Sequence, residues 1–317
     1  MKVAILDDYQ NVARTSADWG RLPEGTELSV LADHLKDEAA VAERLAGFEV
    51  VVAMRERTPF PRSLLTRLPN LKLLVTTGLR NASIDVAAAA EQGVTVCGTT
   101  GMSTGTSELT WGLILSLTRH IHTENRNVRE GKWQTTIGPS LEGHTLGLVG
   151  LGRLGSNVAK VGLAFGMRVI AWSQNLTPER AEAIGATAVS KEELFSQSDV
   201  ISVHYILSPR SRGMITAEDF ARMKPDALFV NTSRGPIADE AALLDTLRNH
   251  RIAGAGLDVF EEEPLPAAHP FLQLDNLLIT PHIGYVTTDN YRIFYGDALE
   301  DVLAFMNGAP VRVISPS

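Results

Sequence analysis

Short apolar runs recur along the chain at residues 3–6, 50–54, 71–75 and 94–97, and each reads as a strand buried on both faces. Between them lie Ala-, Leu- and Glu-rich stretches of helical periodicity, such as 38–45 and 84–91. Strand alternating with helix predicts a doubly wound parallel sheet. Residues 107–121 are apolar almost all round, which predicts a helix buried between units. A polar, glycine-containing stretch follows over 130–143, and then the alternation restarts. Strands are predicted at 145–149, 168–172, 200–204, 227–231, 253–257 and 276–280, with helices at 153–165 and 239–248. The chain therefore reads as two α/β units. Residues 287–306 are again amphipathic, and periodicity alone assigns them to neither unit.

Length agrees with this division, since 317 residues at roughly 150 per domain favour two cores. Lys and Arg number 29 against 37 Asp and Glu, a net charge of −8, and no basic block interrupts the chain. Nucleic-acid binding is disfavoured, because its nonspecific affinity comes from clustered cations on phosphates. Cys97 is the only cysteine, so no intrachain disulfide forms, and no metal site is expected. Four apolar residues precede Asp7 and Asp8, too few for a signal-peptide core, and no run approaches the roughly 18 apolar residues of a membrane span. A soluble, cytoplasmic protein without a membrane partner is the expectation.

The strand predicted at 145–149 runs straight into Gly150-Leu151-Gly152-Arg153-Leu154-Gly155, a G-x-G-x-x-G followed by a helix. The first glycine permits a tight turn, the second lets backbone approach a pyrophosphate, and the third allows close helix packing. The diphosphate would sit on the helix N-terminal amides, where the macrodipole favours negative charge. Such a unit usually carries an acid about 20 residues on, to hold the adenosine ribose. Here the strand 168–172 ends in Ser173, Gln174 and Asn175, with no carboxylate to repel a 2′-phosphate. That favours NADP(H), or indifference between NADP(H) and NAD(H), with Arg153 and Arg180 the nearest cations along the chain.

In an open α/β sheet, ligands gather outside the carboxyl ends of the strands. Three charged residues follow predicted strands and precede Gly or Pro: Arg234, Glu263 and His282. Arginine is a permanently charged fork that holds a carboxylate in two parallel hydrogen bonds. Histidine exchanges a proton with an alcohol or carbonyl oxygen near neutrality, and a carboxylate beside it favours its charged form. With a nicotinamide as hydride source, the set predicts reduction of a 2-keto acid or oxidation of the matching 2-hydroxy acid.

These residues resemble the D-isomer-specific 2-hydroxyacid dehydrogenases, a family that includes glyoxylate/hydroxypyruvate reductases and phosphoglycerate dehydrogenases. The likeness runs through Gly78 to Ala87, the Gly150–Gly155 loop, His204 to Pro209, Asn231-Thr232-Ser233-Arg234-Gly235, Gly256 to Phe260, Glu263-Pro264 and Pro281-His282-Ile283-Gly284. It implies a Rossmann NAD(P)-binding domain, 101–286, inserted into a flavodoxin-like substrate domain made of 1–100 and 287–317. It also implies a homodimer joined through the cofactor domain, with the active site between domains. Arg234 would anchor the substrate carboxylate, His282 would be the acid/base and Glu263 its partner. Glu263 is chosen over Glu261 and Glu262 because the family's acid lies five after the Asp and directly before Pro. Gly150, Gly152, Arg153, Leu154, Gly155, Ser173, Gln174, His204, Thr232, Asp258 and Thr106 would line the cofactor, with Asp258 on the carboxamide.

Departures narrow the reading. Where the family's substrate loop is Gly-x-Gly-x-Asp-Asn, this chain has Gly78-Leu79-Arg80-Asn81-Ala82-Ser83, so Arg80 replaces the second glycine. Arg80 and Arg55, together with the Gly78-Leu79 backbone, form the candidate substrate-binding set. If both cations face the substrate, a dicarboxylate or another anionic 2-keto acid fits; the alternative is pairing with Glu56 or Asp85. Thr100-Gly101 stands where the family has Pro-Gly. A cofactor-sensing, corepressor-like binding protein is the competing class, since such relatives keep the same three charged residues.

Overall fold

The computed structural model describes residues 1–316 and contains two compact units, Met1–Met102 together with the chain from Val286 onward, and Ser103–Tyr285. In the first unit, β1 (Lys2–Ile5), β2 (Glu27–Val30), β3 (Val50–Ala53), β4 (Leu73–Thr76) and β5 (Thr95–Gly98) form one sheet in the order β2-β1-β3-β4-β5, every pair parallel. This is the 2-1-3-4-5 order of flavodoxin-like sheets, with its reversal of strand order between β1 and β3. Both faces are covered, so β3 and β4 are wholly buried and their sequences are apolar without alternation. The helix Thr288–Met306 packs against β4. After it the chain crosses β5 antiparallel, Gly98 N donating to Arg312 O at 3.1 Å and Ile314 N to Val96 O at 2.8 Å.

The second unit contains β6 (Thr145–Val149), β7 (Arg168–Trp172), β8 (Thr187–Ala188), β9 (Val200–Val203), β10 (Leu228–Asn231), β11 (Gly254–Leu257) and β12 (Leu277–Ile279). They form a parallel sheet ordered β12-β11-β10-β9-β6-β7-β8, so strand order reverses beside β6. Alternate residues serve opposite faces. Val149, Ile201, Val203 and Phe229 enter one core cluster, whereas Leu146, Leu148, Val200 and Val230 enter another. At about 1.5–3 kcal/mol for each fully buried large apolar side chain, these two layers hold the strand ends in place.

Three local expectations shift. The stretch predicted as helix over 107–121 is helical earlier, over Thr104–Thr118, because His120 takes a left-handed conformation (φ 51°) that stops the turn. A second helix, Ile121–Arg129, follows; periodicity does not reveal it, since Asn127 is its only buried residue. The edge strands β2 and β8 also lack a signal, β2 being half exposed and β8 two residues long.

Candidate active site at the carboxyl ends of the second sheet

β6 ends at Val149, and Gly150 follows with φ 99°, a conformation that favours glycine. A Cβ at Gly150 would lie 2.5 Å from His204 O, and one at Gly155 would lie 2.1 Å from Gly150 O, so both glycines are required by the protein's own packing. Gly152 is different. A Cβ there would meet nothing within 4 Å, and Gly152 caps the twelve-residue helix Arg153–Ala164 without a side-chain hydrogen bond. The first amides of that helix therefore face a space kept open by a missing side chain, at the sheet's reversal point, which fits a dinucleotide diphosphate. Arg153 is exposed and Leu154 half-buried beside it.

Beyond β7, Gln174 N donates to the Tyr205 hydroxyl at 3.3 Å, and the Tyr205 ring stacks on Trp172 with centroids 6.4 Å apart. Ser173 is half-buried, and the residues that follow β7, Ser173-Gln174-Asn175, include no acid; Arg180 donates to Asn175 O at 3.2 Å. His204 Nε2 and Ser202 Oγ are 2.9 Å apart, and desolvation pushes the His204 imidazole down to about 4, so it is neutral at pH 7.

β10, β11 and β12 are neighbours, with Asn231 opposite Leu257 and Leu257 opposite Ile279. That register brings the segments carrying Arg234, Asp258 to Glu263, and His282 out side by side. Asn231 pins the first turn, its Nδ2 donating to Arg234 O at 3.0 Å while its Oδ1 accepts from Ser233 N at 3.0 Å. Gly235 seats this turn against the next: a Cβ there would be 2.1 Å from the Phe260 carbonyl carbon. Thr232 is buried with its hydroxyl 2.8 Å from that of Thr110, and Arg234 is half-buried.

Buried Asp258 organises the third segment. Its Oδ1 accepts from Thr280 Oγ1 at 2.7 Å and Ile283 N at 2.8 Å, and its Oδ2 accepts from Gly284 N at 2.8 Å. Burial pushes the Asp258 carboxyl above the usual range, while these donors oppose the rise. Thr106 Oγ1 closes the same turn by donating to Gly284 O at 3.0 Å. Within it His282 is left-handed (φ 54°), and its Nδ1 lies 2.5 Å from Glu263 Oε2. The other carboxylate oxygen, Glu263 Oε1, accepts from Phe260 N at 3.0 Å. Glu261, by contrast, pairs with Arg212 at 2.9 Å.

In the first unit, Arg55 and Gly78 meet at the ends of β3 and β4, where a Cβ on Gly78 would be 1.8 Å from Arg55 Nη1. Arg55 Nε is 3.7 Å from Glu56 Oε2, whereas Asp85 instead caps the helix Val86–Glu91 by accepting from Ala88 N at 2.8 Å. Leu79 and Arg80 are exposed. Asn81 was not among the expected site residues, although its amide reaches Arg55 O at 2.6 Å; its only sequence signal was its place in the altered loop. Among the described residues no helix is long and apolar enough to cross a membrane.

Residues 111–284 match the model of the D-isomer specific 2-hydroxyacid dehydrogenase, NAD binding domain. The chain is 37% identical over 279 residues to D-3-phosphoglycerate dehydrogenase of Bacillus subtilis, covering 87% of this chain and 53% of that protein. It is 31% identical over 325 aligned positions to hydroxypyruvate reductase of Blautia hydrogenotrophica, covering 99% of this chain and 100% of the other. Among solved structures, the phosphoglycerate oxidoreductase from Vibrio cholerae superposes with a TM-score of 0.92 at 40% identity, covering 98% of this chain and 100% of that one. The chain spans about half the length of the phosphoglycerate dehydrogenases it matches.

Proposed function

The chain belongs to the D-isomer specific 2-hydroxyacid dehydrogenases, and from that premise we propose that it reduces a small 2-keto acid to the 2-hydroxy acid with a nicotinamide dinucleotide. The observation that carries the proposal is the 2.5 Å contact between His282 and Glu263 on the strand edge that also bears Arg234. A bound nicotinamide supplies the hydride. Arg234 holds the substrate carboxylate as a planar fork. His282, held through Nδ1 by Glu263, presents Nε2 to the keto oxygen and delivers the proton that completes the hydroxyl; in the reverse direction it takes that proton back. Glu263 fixes the ring's orientation and supports the imidazolium that precedes transfer. Asp258 fixes the turn that carries His282 and would hold the carboxamide of a bound nicotinamide.

In this reading 103–285 binds the dinucleotide, its diphosphate on the Gly152–Leu154 amides, and NADP(H) is favoured by the neutral Ser173-Gln174 strand end. Arg55, Gly78, Leu79 and Arg80 are the proposed substrate-binding residues of the first unit. Trp133 and Ile137 support a homodimer formed through the second unit: they are 76% and 97% exposed, on a segment anchored by Glu124, which accepts from Thr135 and Thr136. Exposed large apolar side chains on an anchored segment are suited to a second copy. Steady-state assays of NADPH and NADH oxidation against glyoxylate, hydroxypyruvate and bulkier 2-keto acids test the function. Saturable turnover with one of them is expected; purified protein that binds dinucleotide but oxidises none would sink it.

A further inference from the structure

The carboxyl ends of β9 and β7 lie on either side of β6, and one side chain joins them across it. Tyr205 stands two residues beyond β9, with its carbonyl oxygen accepting from the Ser233 hydroxyl. Its ring passes over the start of the glycine loop, where a Cβ on Gly150 would lie 3.2 Å from Tyr205 Cδ2. The ring then stacks on Trp172, the last residue of β7, at 21° between planes and 6.4 Å between centroids. Its hydroxyl oxygen reaches the turn after β7 and accepts from Gln174 N at 3.3 Å.

A phenol hydroxyl is donor and acceptor at once. Acceptance from Gln174 N fixes the oxygen and polarises the O–H, and that proton has no acceptor among the described residues. Tyr205 is half-buried and Gln174 exposed, so packing holds the ring while the hydrogen bond it ends in lies at the surface. In a dinucleotide-binding unit the end of the second strand holds the adenosine ribose, ordinarily through an acid. Here Ser173-Gln174-Asn175 include no acid, and Arg180 Nη1 is turned to Asn175 O at 3.2 Å. The donor left at this strand end is a neutral hydroxyl that comes from β9.

We propose that Tyr205 is a specificity-determining residue for the adenosine end of the cofactor, its hydroxyl donating to the oxygen on ribose C2′ in place of the usual acid. This rests on the reading of 103–285 as the dinucleotide-binding unit. A hydroxyl donor takes either form of that oxygen, where an acid would repel a phosphate. It holds the 2′-phosphate of NADP(H) more strongly than the 2′-hydroxyl of NAD(H), because hydrogen bonds to charged groups are the stronger ones.

The test is binding, not turnover. Dissociation constants of NADPH, NADH and NADH lacking the adenosine 2′-hydroxyl are measured by nicotinamide fluorescence in the parent and in Tyr205→Phe. The substitution keeps the ring on Trp172 and Gly150 and removes only the hydroxyl. Affinity is expected to fall about 10–100-fold for NADPH, about 2–10-fold for NADH and less than about 2-fold for the deoxy analogue. Equal losses on all three would mean that Tyr205 only shapes the turn, and would overturn the proposal. So would unchanged constants, or tighter binding to the variant, which would mean that the hydroxyl competes with the ribose for Gln174 N. Parent protein that binds none of the three would sink the dinucleotide reading and this inference with it, whereas parent binding with any of those other patterns sinks Tyr205 alone.

Discussion

In the first unit His34 Nδ1 lies 2.8 Å from Asp7 Oδ1; in the second, His282 Nδ1 lies 2.5 Å from Glu263 Oε2. Both imidazoles are largely covered, 11% and 15% exposed. Their surroundings separate them. Asp7 is 2% exposed and its other oxygen accepts from Thr58 Oγ1 at 2.7 Å, so the first pair ties together segments that follow three neighbouring strands. The nearby Arg44 is engaged by Asp33 at 2.8 Å. The second pair stands beside the Arg234 turn, on a loop that Asp258 fixes through three hydrogen bonds. A carboxylate against an imidazole is thus a brace or, in the proposed reading, the support of a proton-transferring ring according to its companions, not according to its own geometry.

The contrast is broken or kept by the largest effect expected. His282→Ala and Arg234→Ala should each lower kcat/KM by about 10³-fold or more, since each removes a group proposed to meet the reacting atoms. Glu263→Gln should cost about 10–100-fold, by analogy with partners that orient a reactive imidazole. His34→Ala should change kcat/KM by less than about 3-fold while lowering Tm, because it removes a buried contact from Asp7. Equal kinetic losses at His34 and His282 would erase the distinction.

The two sheets also differ in how much the sequence discloses. The glycine loop was legible because two of its three glycines have a steric cause in the fold, and the placement of Arg234, Glu263 and His282 beyond strand ends was legible because buried strands are apolar and end abruptly in charge. Asp7 and His34 were not, since nothing in a single chain relates positions 27 apart across two strand ends. Asn81 was hidden for a related reason: its loop was visible as a departure at Arg80, but its amide donates to Arg55 O, 26 residues away. β2 and β8 escaped because edge strands carry weak burial patterns.

Within the second sheet, the three glycines of one motif should separate. Gly155→Ala forces a Cβ to within 2.1 Å of Gly150 O and should destabilise by about 1–3 kcal/mol or prevent folding. Gly152→Ala has room and an ordinary backbone (φ −82°), so Tm should hold while KM for the dinucleotide rises about 10-fold or more. If both variants lose stability and neither changes cofactor affinity, the loop is a structural turn. A smaller change is expected at the adjoining strand end, where Ser173→Asp should move the NADPH/NADH ratio of kcat/KM about 10-fold toward NADH, by placing a carboxylate where the 2′-phosphate would sit. An unmoved ratio would mean the adenosine is read elsewhere.

The smallest effect concerns a carboxylate of the first unit that has no part in the chemistry. Asp301 is fully buried, with Oδ1 held by Arg312 Nε at 3.0 Å and Oδ2 without a hydrogen-bond partner. Burial pushes its carboxyl up to about 7 from an ordinary 3.8, although Arg312 pulls the other way. The folded state then holds the proton more tightly than the unfolded one. Stability from this group is full below about 4, declines as pH rises toward about 7 and levels off above, with a slope of at most about 1.4 kcal/mol per pH unit. Asp301→Asn should flatten that slope, whatever offset the uncompensated Arg312 adds at all pH values. Tm profiles of the two proteins from pH 5 to 8 decide it. Parallel profiles would mean that the carboxylate stays ionised, and that Arg312, which also reaches Asp297 O at 2.8 Å and Glu300 at 3.2 Å, outweighs burial there.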